Sequence, residues 1–137
     1  MSDIEIEGID HVVLRVRDAP RALRFYCDVL GCREERRVEE LGLIQLRAGG
    51  SLIDLVEVGS PLGRLGGAAP GPEGRNVDHL ALRLAAFDEI ALRTHLTRHG
   101  VEPGDVAQRY GAQGIGSSMY IQDPDGNVVE LKAPAGS

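Results

Sequence analysis

Asn76-Val77-Asp78-His79-Leu80-Ala81-Leu82-Arg83-Leu84 opens the second half of this chain, and the same pattern has already occurred in the first half. Ile9-Asp10-His11-Val12-Val13-Leu14-Arg15-Val16 has the same succession of aliphatic, Asp, His, two small or aliphatic residues, Leu, Arg and aliphatic. Two further pieces return in the same order. Ala22-Leu23-Arg24, before Gly31, reappears as Ala91-Leu92-Arg93 before Gly100. Gly50-Ser51-Leu52-Ile53-Asp54-Leu55 reappears as Gly126-Asn127-Val128-Val129-Glu130-Leu131. Three ordered matches at nearly constant offset mark a tandem duplication. The His and carboxylate positions are duplicated with it.

The repeated opening reads as a strand. Alternation puts His11, Val13 and Arg15 on one face and Val12, Leu14 and Val16 on the greasier other face, which should carry a helix. Asp18 then offers an N-cap with Pro20 in the first turn, and Leu23, Tyr26, Cys27 and Leu30 form a helical stripe that Gly31 ends. Strands are expected near 33–38, 43–47 and 52–58, punctuated by Gly42 and Gly49-Gly50. Module two repeats the order, with a strand over 77–84, a helix over about 87–99, and strands near 105–109, 117–122 and 127–132. Asp123-Pro124-Asp125-Gly126 is a turn. The predicted organisation is one domain, with module one over 8–58, a linker over 59–75 and module two over 76–132. The Gly/Pro-rich stretch 59–75 reads as a mobile connection, a lid over a site being the alternative.

Composition limits function. An apolar fraction of 42% can fill a core, and a net charge of -6 without a basic run argues against nucleic acid. No apolar run is long enough to cross a bilayer and no signal pattern opens the chain, so a soluble, cytoplasmic protein is expected. Cys27 and Cys32 are expected as free thiols, with Cys27 buried.

On the closing strand of each module, Ile53 and Leu55 take one face and Asp54 the other; Val129 and Leu131 separate from Glu130 in the same way. His11, His79, Asp54 and Glu130 thus occupy equivalent places on the faces away from the helices. Glu57 falls opposite Asp54 and reads as surface. If the modules meet about a pseudo-two-fold axis, two imidazoles and one or two carboxylates converge. That set suits a divalent metal with positions left for substrate or water. A lone strand His is more often a packed residue, but the same His twice, each with a carboxylate, favours ligation. His95 and His99 have helical i, i+4 spacing with no third ligand nearby in sequence. No GxSxG, P-loop or paired CxxC is present.

The His11 strand, the helix ending in Val29-Leu30-Gly31, Ile53-Asp54-Leu55, the His79 strand and Asp123-Pro124-Asp125-Gly126-Asn127-Val128-Val129-Glu130 together resemble the vicinal oxygen chelate superfamily. Glyoxalase I, extradiol dioxygenases, fosfomycin-resistance enzymes and metal-free bleomycin-binding proteins belong to it. The resemblance implies an α+β fold of two βαβββ modules forming a cupped mixed sheet with helices outside. It also implies a homodimer in which sites are shared between chains. By similarity, His11, His79 and Glu130 match the shared metal ligands, and Asp54 matches a fourth ligand that is Glu in glyoxalase I. The implied cofactor is one divalent metal per site (Ni, Zn, Mn, Co or Fe(II)), with a thiol as a candidate cosubstrate.

The implied activity is that of a lyase or isomerase working through an enediolate, with Asp54 or Glu130 moving the proton. A thiol transferase of the fosfomycin-resistance kind, an extradiol dioxygenase and a metal-free sequestering protein stay open as alternatives. The stretch from Arg109 to Tyr120 is similar to the anion-contacting loop of fosfomycin-resistance members but carries no lysine. Arg109, Ser118 and Tyr120 are the expected substrate contacts.

Overall fold

The computed structural model describes residues 2–136. The chain divides into two compact units between Ala69 and Pro70. Each is built around a four-stranded mixed sheet of identical topology. In unit one, β1 (His11–Val16), β2 (Arg33–Val38), β3 (Leu43–Ala48) and β4 (Ser51–Glu57) are ordered β1-β4-β3-β2, with β1 parallel to β4. In unit two, β5 (Leu80–Arg83), β6 (Val106–Gly111), β7 (Gly114–Gln122) and β8 (Val128–Lys132) are ordered β5-β8-β7-β6, with β5 parallel to β8. The parallel pairing brings the last strand of each module beside the first. His and carboxylate, far apart in sequence, become neighbours on one face.

In β1, Leu14 and Val16 are fully buried while His11 and Val13 are exposed, as the alternation predicts. The first helix departs from expectation. It is α-helical only over α1 (Ala19–Leu23), then π-helical over Arg24–Val29, and Leu30 N donates to Phe25 O at 3.1 Å. Wider π turns shift the helix phase: Tyr26 of the expected stripe is buried, but Ala22 and Phe25 join it in the core while Leu23, Cys27 and Leu30 are only half-buried. Asp18 caps α1 through Arg21 N at 3.0 Å. Glu57, expected at the surface, is half-buried and accepts a bond from Ala19 N at 2.9 Å, tying the helix start to the end of β4. Both cysteines are free; Cys32 is the buried one, and burial first, then Cys27, pushes its thiol up to about 11. Cys27 is half-buried.

After β4 the Gly/Pro-rich stretch forms a short helix, α2 (Pro61–Arg64), capped by Ser60 Oγ accepting from Gly63 N at 3.0 Å. Arg15 holds this stretch to β1 through the carbonyls of Gly63, Gly67 and Ala68 at 3.2, 3.0 and 2.8 Å. Gly63 allows the close approach: a Cβ there would lie 1.9 Å from Glu57 O. Gly63→Ala should therefore force α2 off the end of β4 and destabilise unit one by about 1–3 kcal/mol. A denaturant midpoint equal to wild type would contradict that packing.

In unit two, α3 (Glu89–Arg98) is capped by Asp88 Oδ1, which accepts from Ala91 N at 3.1 Å, and it buries Leu96. The glycine-rich stretch after Arg109 is paired, not looped: β6 and β7 run on to Gly111 and Gly114, leaving Ala112-Gln113 as a two-residue hairpin turn. Ala112 and Gln113 keep negative φ, and Gly114, at φ 95, is the left-handed residue that follows the turn, as in a hairpin closed by a glycine bulge. The next turn is organised by buried Asp123. Its Oδ1 accepts from the backbone N–H groups of Asp125 and Asn127, both at 2.8 Å, and its Oδ2 accepts from Asn127 Nδ2 at 2.8 Å. That turn sets the register in which Glu130 enters the sheet. No helix among the described residues is long and apolar enough to cross a membrane.

Candidate metal-binding half-sites

In unit one, Asp54 lies across from Val13 and so shares a face with His11. His11 Nε2 stands 4.0 Å from Asp54 Oδ2. Asp54 is 3% exposed, deep for a carboxylate, and is held by Gln45 directly opposite on β3. Gln45 Nε2 donates to Asp54 Oδ2 at 3.2 Å, while Arg36 donates to Gln45 Oε1 at 2.8 Å. The Arg36 bond fixes which end of the amide faces the carboxylate. Asp54 Oδ1 is buried with no hydrogen-bond partner.

Unit two repeats the arrangement more tightly. His79 Nε2 is 3.2 Å from Glu130 Oε1, and Glu130 Oε2 is buried with no hydrogen-bond partner. Tyr120 lies directly across from Glu130, and its ring meets His79 edge-on, centroids 5.4 Å apart. The Arg109 guanidinium covers Tyr120 at 4.4 Å and donates to Ser118 O and Oγ at 2.9 and 2.8 Å. The structure thus gathers His79, Glu130, Tyr120, Arg109 and Ser118 on one module and His11 with Asp54 on the other. Ser118 is fully buried, its hydroxyl accepting from Arg109.

Each imidazole also has a partner on its far side. His11 Nδ1 is 2.7 Å from Asp10 Oδ1, and His79 Nδ1 is 2.6 Å from Asp78 Oδ2. A carboxylate there can only accept, so Nδ1 carries a proton and Nε2 is the ring nitrogen on the side of Asp54 or Glu130. The Asp10 hydrogen bond, then the Asp54 charge, raises the His11 pKa above its ordinary value. The His79 hydrogen bond is the main cause lowering Asp78. Asp10 and Asp78 join the candidate site as partners of its imidazoles, and the doubled Asp-His dipeptide is their signal in the sequence. Gln45 and Lys132 had none.

A divalent cation fits this donor set. Imidazole nitrogen and carboxylate oxygen are its ligands, and a buried carboxylate oxygen without a partner costs about 1–3 kcal/mol unless an ion or water satisfies it. Each module supplies two donors, and no group of three or more His, Cys, Asp or Glu side chains is gathered among the described residues. That holds for His95 and His99 too, whose rings lie 4.6 Å apart at the end of α3.

Two βαβββ modules, each presenting His beside a carboxylate, define a glyoxalase-like fold. The chain belongs to the Glyoxalase/Bleomycin resistance protein/Dioxygenase superfamily, whose model matches residues 8–131. It is 29% identical over 129 residues to a catechol-2,3-dioxygenase of Bacillus subtilis, covering 91% of this chain but spanning only 41% of that relative. It is 26% identical over 131 residues to virulence protein STM3117 of Salmonella typhimurium, covering 92% of this chain and 83% of that protein. The crystal structure of STM3117 matches with a TM-score of 0.73. An integron cassette protein from V. cholerae matches with a TM-score of 0.73 at 29% identity, covering 96% of this chain and 98% of that one.

Proposed function

We propose that this protein is a metal-dependent lyase or isomerase acting on a small substrate through two neighbouring oxygens. The observation that carries this reading is the doubled half-site, in which His Nε2 faces a carboxylate whose second oxygen is buried and accepts no hydrogen bond. His11, His79 and Glu130 would hold the metal. Bound there, the metal would act as a Lewis acid toward a substrate oxygen. Asp54 stands farther from its imidazole than Glu130 does and is anchored by Gln45, which suits a base that takes a proton from substrate carbon and returns it. Arg109 and Ser118 hold Tyr120 in place, and Tyr120 in turn bears on His79. The reading includes a cytoplasmic homodimer with each site shared between chains.

The similarity to a catechol dioxygenase favours a second reading, ring cleavage on ferrous iron. Two His and one carboxylate suffice for that chemistry. The retained second carboxylate, Asp54, then lacks a role, which is why proton transfer is preferred.

Metal analysis of protein purified without chelator is the first test. One equivalent per site is expected. Less than about 0.1 equivalents, with no uptake of Ni, Zn, Mn, Co or Fe(II), would sink the enzyme reading in favour of a metal-free sequestering protein. Assays with hemithioacetals, fosfomycin plus thiols, and catechols with oxygen then separate isomerase, transferase and dioxygenase.

A further inference from the structure

Duplication allows the two copies of one residue to be compared. Arg15 and Arg83 are equivalent positions of the repeat. Arg15 faces Val56 across the β1–β4 pairing, and its guanidinium is engaged by three carbonyls. Arg83 faces Lys132 across the β5–β8 pairing. It is exposed and makes no hydrogen bond, ion pair or ring contact among the described residues. Two cations directly opposite on paired strands repel one another and destabilise the sheet. The equivalent pair in unit one, Arg15 and Val56, does not set two cations opposite one another.

An open cavity of about 260 Å³ is lined by Arg83, Lys132, His79, Glu130 and the hairpin from Tyr110 to Gly116. Lys132 is positioned rather than loose: its Nζ donates to Arg109 O at 2.8 Å and stands 3.8 Å from Glu130 Oε2. Its stem crosses Gly111, where a Cβ would come within 2.7 Å of Lys132 Cε. A chain of net charge -6 has thus placed two cations, one of them unpaired, at the wall of the cavity that contains His79 and buried Glu130. The arginine fork matches a carboxylate or phosphate edge, and lysine adds a point charge.

We propose that Arg83 and Lys132 form an oxyanion subsite that binds a carboxylate or phosphate group of the substrate beside His79 and Glu130. The proposal rests on the functional reading above, because it makes the substrate of that site a small anion.

The test is titration of the full chain, stripped of metal with chelator, with inorganic phosphate and separately with acetate at constant ionic strength. Amide shifts of Gly111, Gly114 and Gly116 are followed by NMR. Saturable shifts are expected for at least one anion, phosphate leading if the substrate is phosphorylated and acetate matching it if a carboxylate is recognised. Arg83→Gln and Lys132→Met should each raise the saturation constant about tenfold or more, while Arg98→Gln leaves it unchanged. Without anion, Arg83→Gln should keep or raise the thermal midpoint, because a repulsion is removed. Linear, unsaturable shifts in wild type, or saturation indifferent to both Arg83→Gln and Lys132→Met, would overturn the subsite. Metal is absent throughout, so failure here leaves the metal half-sites standing, and failure of metal binding leaves the anion result intact.

Discussion

Replacing His79 by alanine is expected to abolish metal binding while leaving the fold in place. The imidazole is partly solvent-exposed at the wall of an open cavity and meets the Tyr120 ring edge-on, so water can fill its volume without opening a core cavity. Its loss removes a nitrogen donor and leaves Glu130 as the sole donor of its half-site. Affinity should fall by more than the roughly 10–100-fold that loss of an outer hydrogen-bond partner typically costs. His11→Ala should do the same from the other module. Far-UV circular dichroism reports the fold and metal analysis the stoichiometry; either variant retaining full metal content would show that these half-sites do not bind it. The two variants also test the shared site. Refolded together, they give about half mixed dimers, each with one intact site if ligands are exchanged between chains, so about a quarter of wild-type metal returns. No recovery would assign each site to a single chain.

The second large effect is on turnover alone. Asp54→Asn keeps the shape of the side chain and an oxygen that can accept from Gln45, but it removes the basic carboxylate. With Asp54 as the proton shuttle, metal content should be retained and kcat should drop about 10²–10⁴-fold on whichever substrate the screen identifies. Unchanged turnover would exclude the shuttle role. Metal lost along with activity would make Asp54 a ligand instead.

Much of this was legible in the residues. The duplicated Asp-His strand, the doubled position of Asp54 and Glu130, and the Asp123-Pro124-Asp125-Gly126 turn all announce themselves locally. Strand alternation has a period of two, so burial of Leu14 and Val16 away from His11 follows from the sequence alone. Ala22-Leu23-Arg24 before Gly31 gave a helix, but its π-helical turns depend on how Phe25 and Tyr26 seat in the core, which periodicity does not carry. Glu57 was misread for the same reason: strand alternation says which way it points, not that the start of a helix waits there.

What tertiary structure alone decided is the company each charged group keeps. Arg15 and Arg83 occupy the same place in the repeated Asp-His-x-x-Leu-Arg pattern, which by itself does not say what either side chain meets. Pairing β1 with β4 sets one opposite Val56 and within reach of three carbonyls. Pairing β5 with β8 sets the other opposite Lys132 beside an open cavity. Charge interactions act through space, between strands that lie far apart in the chain. The repeated sequence therefore specified where the donors lie, and strand pairing determined which of them are satisfied and which remain free to bind.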